Sequence, residues 1–120
     1  MTVTLTLCET CGYDAAQPEA ERPGARFVRE VERQLKADDE LRIQRTRCLM
    51  ACQRHCAGLL RAPGKITYVL GDFQAEPEAA TALLDYARQY QLSETGQVPF
   101  RNWPSGIKGK FIARIPVLED

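Results

Sequence analysis

Histidine and tryptophan each occur once in this chain, sixteen acidic residues balance sixteen basic ones, and no long apolar run is present. Each scarcity excludes a class of function. With His55 as the one imidazole and no serine in a nucleophile motif, a nucleophile, base and orienting acid of the serine-hydrolase kind cannot be assembled, so a stand-alone hydrolase is not expected and the chain is expected not to be an enzyme. Charge neutrality leaves no electrostatic footprint for nucleic acid or for an anionic membrane surface. No window approaches the roughly 18 apolar residues that a bilayer span needs, and "MTVTLTLCETCG" lacks a basic region followed by an apolar stretch. A soluble, cytoplasmic protein is therefore expected. Internal repeats and low-complexity tracts are missing too, and neither Gly71-Asp72 nor Gly106-x-x-Gly109 has the length or the Lys-Ser/Thr ending of a phosphate loop. At 120 residues the chain has the size of one domain, spanning 1–120.

Cysteine, by contrast, is plentiful, with five thiols in two groups: Cys8-x2-Cys11, then a gap of 36 residues, then Cys48-x3-Cys52-x3-Cys56. Structural disulfides are rare in a reducing cytoplasm, and an odd number leaves one thiol over, so the weight falls on metal or redox chemistry. Burial as small hydrophobes is the bland alternative, but core packing gives no reason for a grouping of two and three at two strand ends.

The elements around these groups can be read from periodicity. "TVTLTL" (2–7) alternates as a half-buried strand and runs straight into Cys8. "ARFVREVERQLKA" (25–37) places Phe27, Val28, Val31 and Leu35 along one helical face. "ELRIQRTRC" (40–48) returns to alternation and leads to Cys48. In "GLLRAPGKITYVLGDF" two apolar runs flank Ala62-Pro63-Gly64-Lys65, whose Pro-Gly centre suits a type II turn and hence a hairpin. "EPEAATALLDYARQY" (76–90) is a second helix entered through Pro77, with Ala80, Leu83, Leu84, Ala87 and Tyr90 on one side. The tail 92–120 holds three of the seven prolines and three of the eight glycines, and is expected to be irregular apart from one short strand at "KFIARI". Tyr68, Tyr86, Tyr90 and Trp103, at alternating or helical spacing, read as core. The order predicts a two-layer α/β domain with a mixed sheet of about four strands and two helices.

If the first two strands are neighbours, the loops that follow them meet at one end of the sheet. Four thiolates gathered there suit either a single zinc ion or a 2Fe–2S core with two cysteines on each iron, and softness does not separate the two. Such a site carries a net charge of about minus two, which Arg42, Arg45, Arg47 and Arg54 could offset, raising a cluster's reduction potential; solvated strand and loop faces explain the same arginines. His55 could add a ligand, though its polar run "QRH" favours the surface. Thiol–disulfide exchange is a third reading, with Cys56 as resolving thiol. It needs a helix N-terminus directly at the Cys-x-x-Cys pair, whereas about a dozen residues, Pro18 and Pro23 among them, separate Cys11 from the first helix.

"CLMAC" (48–52), after a strand and before a glycine-bearing hairpin, resembles the Cys-Leu-Gly-Ala-Cys element of thioredoxin-like 2Fe–2S ferredoxins. Over almost its full length, through "CETC", "CLMACQRHC", "APGKITYVLGD", "LLDYARQYQLSETGQVP" and "ARIP", the chain resembles the domain-of-unknown-function 1636 family, small predicted metal-binding proteins of that superfamily. The resemblance implies a thioredoxin-like ferredoxin fold with a 2Fe–2S cluster on Cys8, Cys11, Cys48 and Cys52. It also implies electron transfer to a redox partner protein, and self-association is compatible with it. A non-redox zinc or metal-carrier protein would use the same sulfurs. Two features depart from the ferredoxin pattern: only two residues separate Cys8 from Cys11, and Cys56 is a fifth thiol, either spare, an alternative ligand or resolving.

Overall fold

The structure is a computed structural model that describes residues 2–10, 16–17, 19, 21–47, 49–50 and 56–117. Alternation in the first strand, β1 (Val3–Cys8), turns Val3, Leu5 and Leu7 to one side, where all three are buried. They meet Phe27, Val28 and Val31 of helix α1 (Pro23–Gln34) in a single core. This helix starts two residues before the periodic stretch, because Pro23 arrives with its φ already helical and has no N–H to leave unpaired. It ends at Gln34; Leu35 turns to extended backbone, caps the Val31 and Glu32 carbonyls, and still packs against the core.

Strand β2 (Leu41–Thr46) lies parallel to β1, and β3 (Gly58–Arg61) lies antiparallel on the other side of β1. The hairpin to β4 (Thr67–Leu70) closes through the expected turn: Gly64 takes φ +76° and the Lys65 N–H donates to the Ala62 carbonyl at 3.2 Å. Helix α2 (Pro77–Leu92) follows and buries Leu83, Leu84, Tyr86, Ala87 and Tyr90.

Two single-turn 3-10 segments, Phe100–Asn102 and Ser105–Ile107, then lead to β5 (Phe111–Ile115), antiparallel to β4. The sheet order is β2-β1-β3-β4-β5, so it has five strands where about four are expected. The extra strand is the short one at "KFIARI", which the β4 ladder recruits despite a register shift between Val69 and Leu70. Tyr68, Tyr86 and Tyr90 are buried together as the spacing predicts. Among the described residues no helix is long and apolar enough to cross a membrane.

Candidate cysteine site

Cys8 is the last residue of β1, and strands on both sides hold it. Its own N–H donates to the Ala57 carbonyl at 3.0 Å, and the next N–H, of Glu9, donates to the Thr46 carbonyl at 2.9 Å. The chain leaving β1 is thus bonded both to the end of β2 and to the segment entering β3. The segments after Cys8, after Thr46 and before Gly58 therefore emerge at one end of the sheet.

Because side chains alternate along a strand, Cys8 faces away from the helices while Leu7 faces them. Cys8 is buried with Ala57, and Leu49 packs over the pair. Its thiol donates to the Arg47 carbonyl at 3.5 Å and lies 3.7 Å from Thr10 Oγ1. Thr10 donates its hydroxyl to the same Arg47 carbonyl, and the Arg22 guanidinium donates to the Thr10 carbonyl at 3.2 Å.

Cys56 precedes Ala57 at the same end of the sheet but packs into a different cluster. It is buried within the main core, with a left-handed backbone (φ +54°), and borders a pocket of about 260 Å³ shared with Pro23, Arg26, Asp72 and Phe73. Phe73 is stacked on Phe27 there, ring centroids 5.2 Å apart. The equal spacing of the three later cysteines gives no hint that Cys56 belongs to the core cluster while Cys8 belongs to a separate small one.

Of the arginines expected to offset charge, Arg45 is engaged: it pairs with Glu32 of α1 and, at 3.7 Å, with Glu9. The Glu32 hydrogen bond and its charge, with a smaller contribution from Glu9, raise the Arg45 pKa above its ordinary value. Arg42 and Arg47 are exposed. Cys11, Cys48, Cys52, Arg54 and His55 lie outside the described residues. Among the described residues no group of three or more His, Cys, Asp or Glu side chains is arranged to hold a metal ion. Sequence reasoning did not single out Thr10, Arg22, Leu49 or Ala57, although Thr10 sits inside "CETC" and a hydroxyl between two cysteines is a readable signal.

Fold and site together define a mixed α/β domain with a buried cysteine at the end of an interior strand, where three chain segments converge. The family described as "Protein of unknown function (DUF1636)" matches residues 5–117, and the chain belongs to that family. No curated protein and no solved structure matches the chain.

Proposed function

We propose that this protein is a thioredoxin-like ferredoxin-type electron carrier whose Cys8, Cys11, Cys48 and Cys52 hold a 2Fe–2S cluster. One observation carries the reading: β1 is bonded at its end to the exit of β2 and the entry of β3, so the segments that bear both cysteine groups leave from one place. The strand–helix–strand–hairpin–helix order supports the thioredoxin-like part of it.

The surroundings of Cys8 suit a thiolate ligand. While protonated, the thiol donates to the Arg47 carbonyl; once deprotonated it needs a donor instead, and the Thr10 hydroxyl at 3.7 Å can turn to supply one. Burial beside Ala57 and Leu49 keeps water from this sulfur. The Arg22 guanidinium, which donates to the Thr10 carbonyl, brings positive charge to the same end of the sheet. Bound there, the cluster would supply one-electron chemistry, while the protein fixes ligation, local charge and access. Cys56, packed in the main core, is left out of the ligand set. Thiol–disulfide exchange is disfavoured because Cys8 ends a strand and α1 begins only at Pro23, so among the described residues no helix starts directly at this thiol.

Anaerobic purification tests the reading. Brown protein with iron and sulfide in equal amounts, bleached by dithionite, is the expected result; single serine substitutions at Cys8, Cys11, Cys48 and Cys52 should each remove the colour, and Cys56→Ser should keep it. Full retention of the cluster in the Cys48 and Cys52 variants overturns the ligand set. Colourless protein with stoichiometric zinc replaces the redox reading by the structural-metal one.

A further inference from the structure

Strand β5 ends the sheet order, so among the described residues no strand pairs with its outer side. An edge strand presents a row of backbone donors and acceptors to any extended segment that reaches it, and natural sheets usually blunt such edges with charge, proline or a covering loop. This edge carries Lys110, Arg114 and Pro116, and it is also flanked by apolar surface: Phe100, Ile115 and Val117 are 63%, 47% and 40% exposed. Beside it runs a groove of about 330 Å³ lined by Tyr68, Trp103, Phe111, Ile112, Ala113 and Arg114.

The groove is built from side chains that hold one another. Phe111 meets Tyr68 edge-on at 5.3 Å and Trp103 at 4.9 Å, and the Trp103 indole N–H donates to the Val98 carbonyl at 2.8 Å. Little ordering is left to be done on binding, which favours affinity.

Charge selects the occupant. The chain is neutral overall, yet residues 95–118 contain Arg101, Lys108, Lys110 and Arg114 and no aspartate or glutamate. None of these four cations takes part in an ion pair among the described residues. Lys108 lies over the Phe100 ring at 4.8 Å, and Lys110 donates to the Asp72 carbonyl at 2.7 Å. A second copy of the chain laid along this edge would bring four further cations against these, and like charges across paired strands are destabilising.

We infer that the outer edge of β5 docks an extended acidic segment of a partner protein, which adds a sixth strand to the sheet. Its main chain pairs with β5, alternate apolar side chains enter the groove, and its carboxylates meet Arg114 and the neighbouring cations. Main-chain bonds supply affinity in this mode and the groove supplies specificity. The inference does not depend on what the cysteines bind.

A display library of random peptides, about twelve residues long to cover a strand and its flanks, selected on the full chain is the direct test. Selected peptides should be rich in Asp and Glu alternating with β-branched or aromatic residues. A labelled winner should protect β5 amides from hydrogen exchange and should lose binding when its alternate amides are N-methylated. It should bind Arg114→Glu roughly tenfold more weakly, with Arg114→Lys largely restoring affinity. Arg114 is exposed, so these variants should fold, and urea midpoints equal to wild type would show it. No peptide selected, winners without acidic bias, unchanged affinity for Arg114→Glu, or protection mapping elsewhere each overturns the inference. So does a dimer in which β5 is protected without peptide, or competition by an oligonucleotide at this edge.

Discussion

The Thr10 hydroxyl sits between two roles, bonded to the Arg47 carbonyl and within reach of the Cys8 sulfur. Hydrogen bonds donated to ligand sulfurs raise a cluster's reduction potential, since they stabilise the added negative charge. On the proposed cluster reading, Thr10→Val, nearly equal in volume, should therefore lower the midpoint potential while leaving the iron content intact; an unchanged dithionite titration would count against this role. A second residue-level prediction concerns Asp39. Its carboxylate accepts from Arg88 Nε at 3.0 Å, from Arg88 Nη2 at 2.9 Å and from the Lys36 backbone N–H at 2.8 Å. The Arg88 hydrogen bonds, helped by the Lys36 N–H and the nearby charges, hold its pKa down from 3.8 to about 2. A depressed folded pKa means stabilisation that is complete above the ordinary carboxyl value and fades as pH falls through about 2. With Arg88 partly open to solvent, Asp39→Asn should cost about 1–2 kcal/mol at neutral pH, and urea midpoints of variant and wild type should converge near pH 2.

Side-chain hydrogen bonds tie the C-terminus of α2 to the β3–β4 hairpin. Lys65 Nζ donates to two carbonyls in the last turn of α2, those of Tyr90 and Gln91, while the Tyr90 hydroxyl donates to the Ile66 carbonyl at 2.6 Å. The Ile66 N–H in turn donates to Thr95, next to Gly96. Gly96 has φ +90°, and a Cβ there would lie 2.8 Å from the Tyr90 ring and 3.2 Å from the Ile66 backbone. Gly64 has φ +76° with open space around it. Gly96→Ala should therefore cost about 2–3 kcal/mol and Gly64→Ala only about 1 kcal/mol, measured by denaturant unfolding, because strain is common to both and crowding is not. Equal costs would show that the backbone conformation alone decides.

The same elements show what was legible in the sequence. Pro63-Gly64 between apolar runs and Pro77 before an apolar stripe specify local backbone, so the hairpin and α2 could be read directly. The Pro99 and Pro104 turns carry no period, and although "KFIARI" reads as a short strand, its place as a fifth strand beside β4 cannot be read there, because that pairing depends on contacts far along the chain. The convergence of strand ends at Cys8 followed from the first two strands being neighbours. That Cys56 belongs with Phe27 and Phe73 did not, because burial is set by contacts far along the chain.

At the scale of the whole molecule, the core draws on β1, both helices, Leu41 of β2, β3, β4 and Ile107, and Cys56 is the one cysteine in it among the described residues. Folding therefore has an apolar basis that is independent of thiolate ligation, unlike a small zinc domain that is unfolded without its metal. Replacing Cys11, Cys48 and Cys52 together by serine should preserve the far-ultraviolet circular dichroism and a cooperative thermal transition, lowered by no more than about 5 °C. Loss of the transition would mean that ligation and folding are one event.

The contact between Cys8 and Arg47 joins residues 39 apart in sequence, and it exists only after α1 has carried the chain across to lay β2 beside β1. A nascent chain that has emerged only as far as α1 has no such neighbour for Cys8. The Cys8–Arg47 contact is thus ordered in time: it follows the crossover and cannot form in a nascent chain that ends before β2.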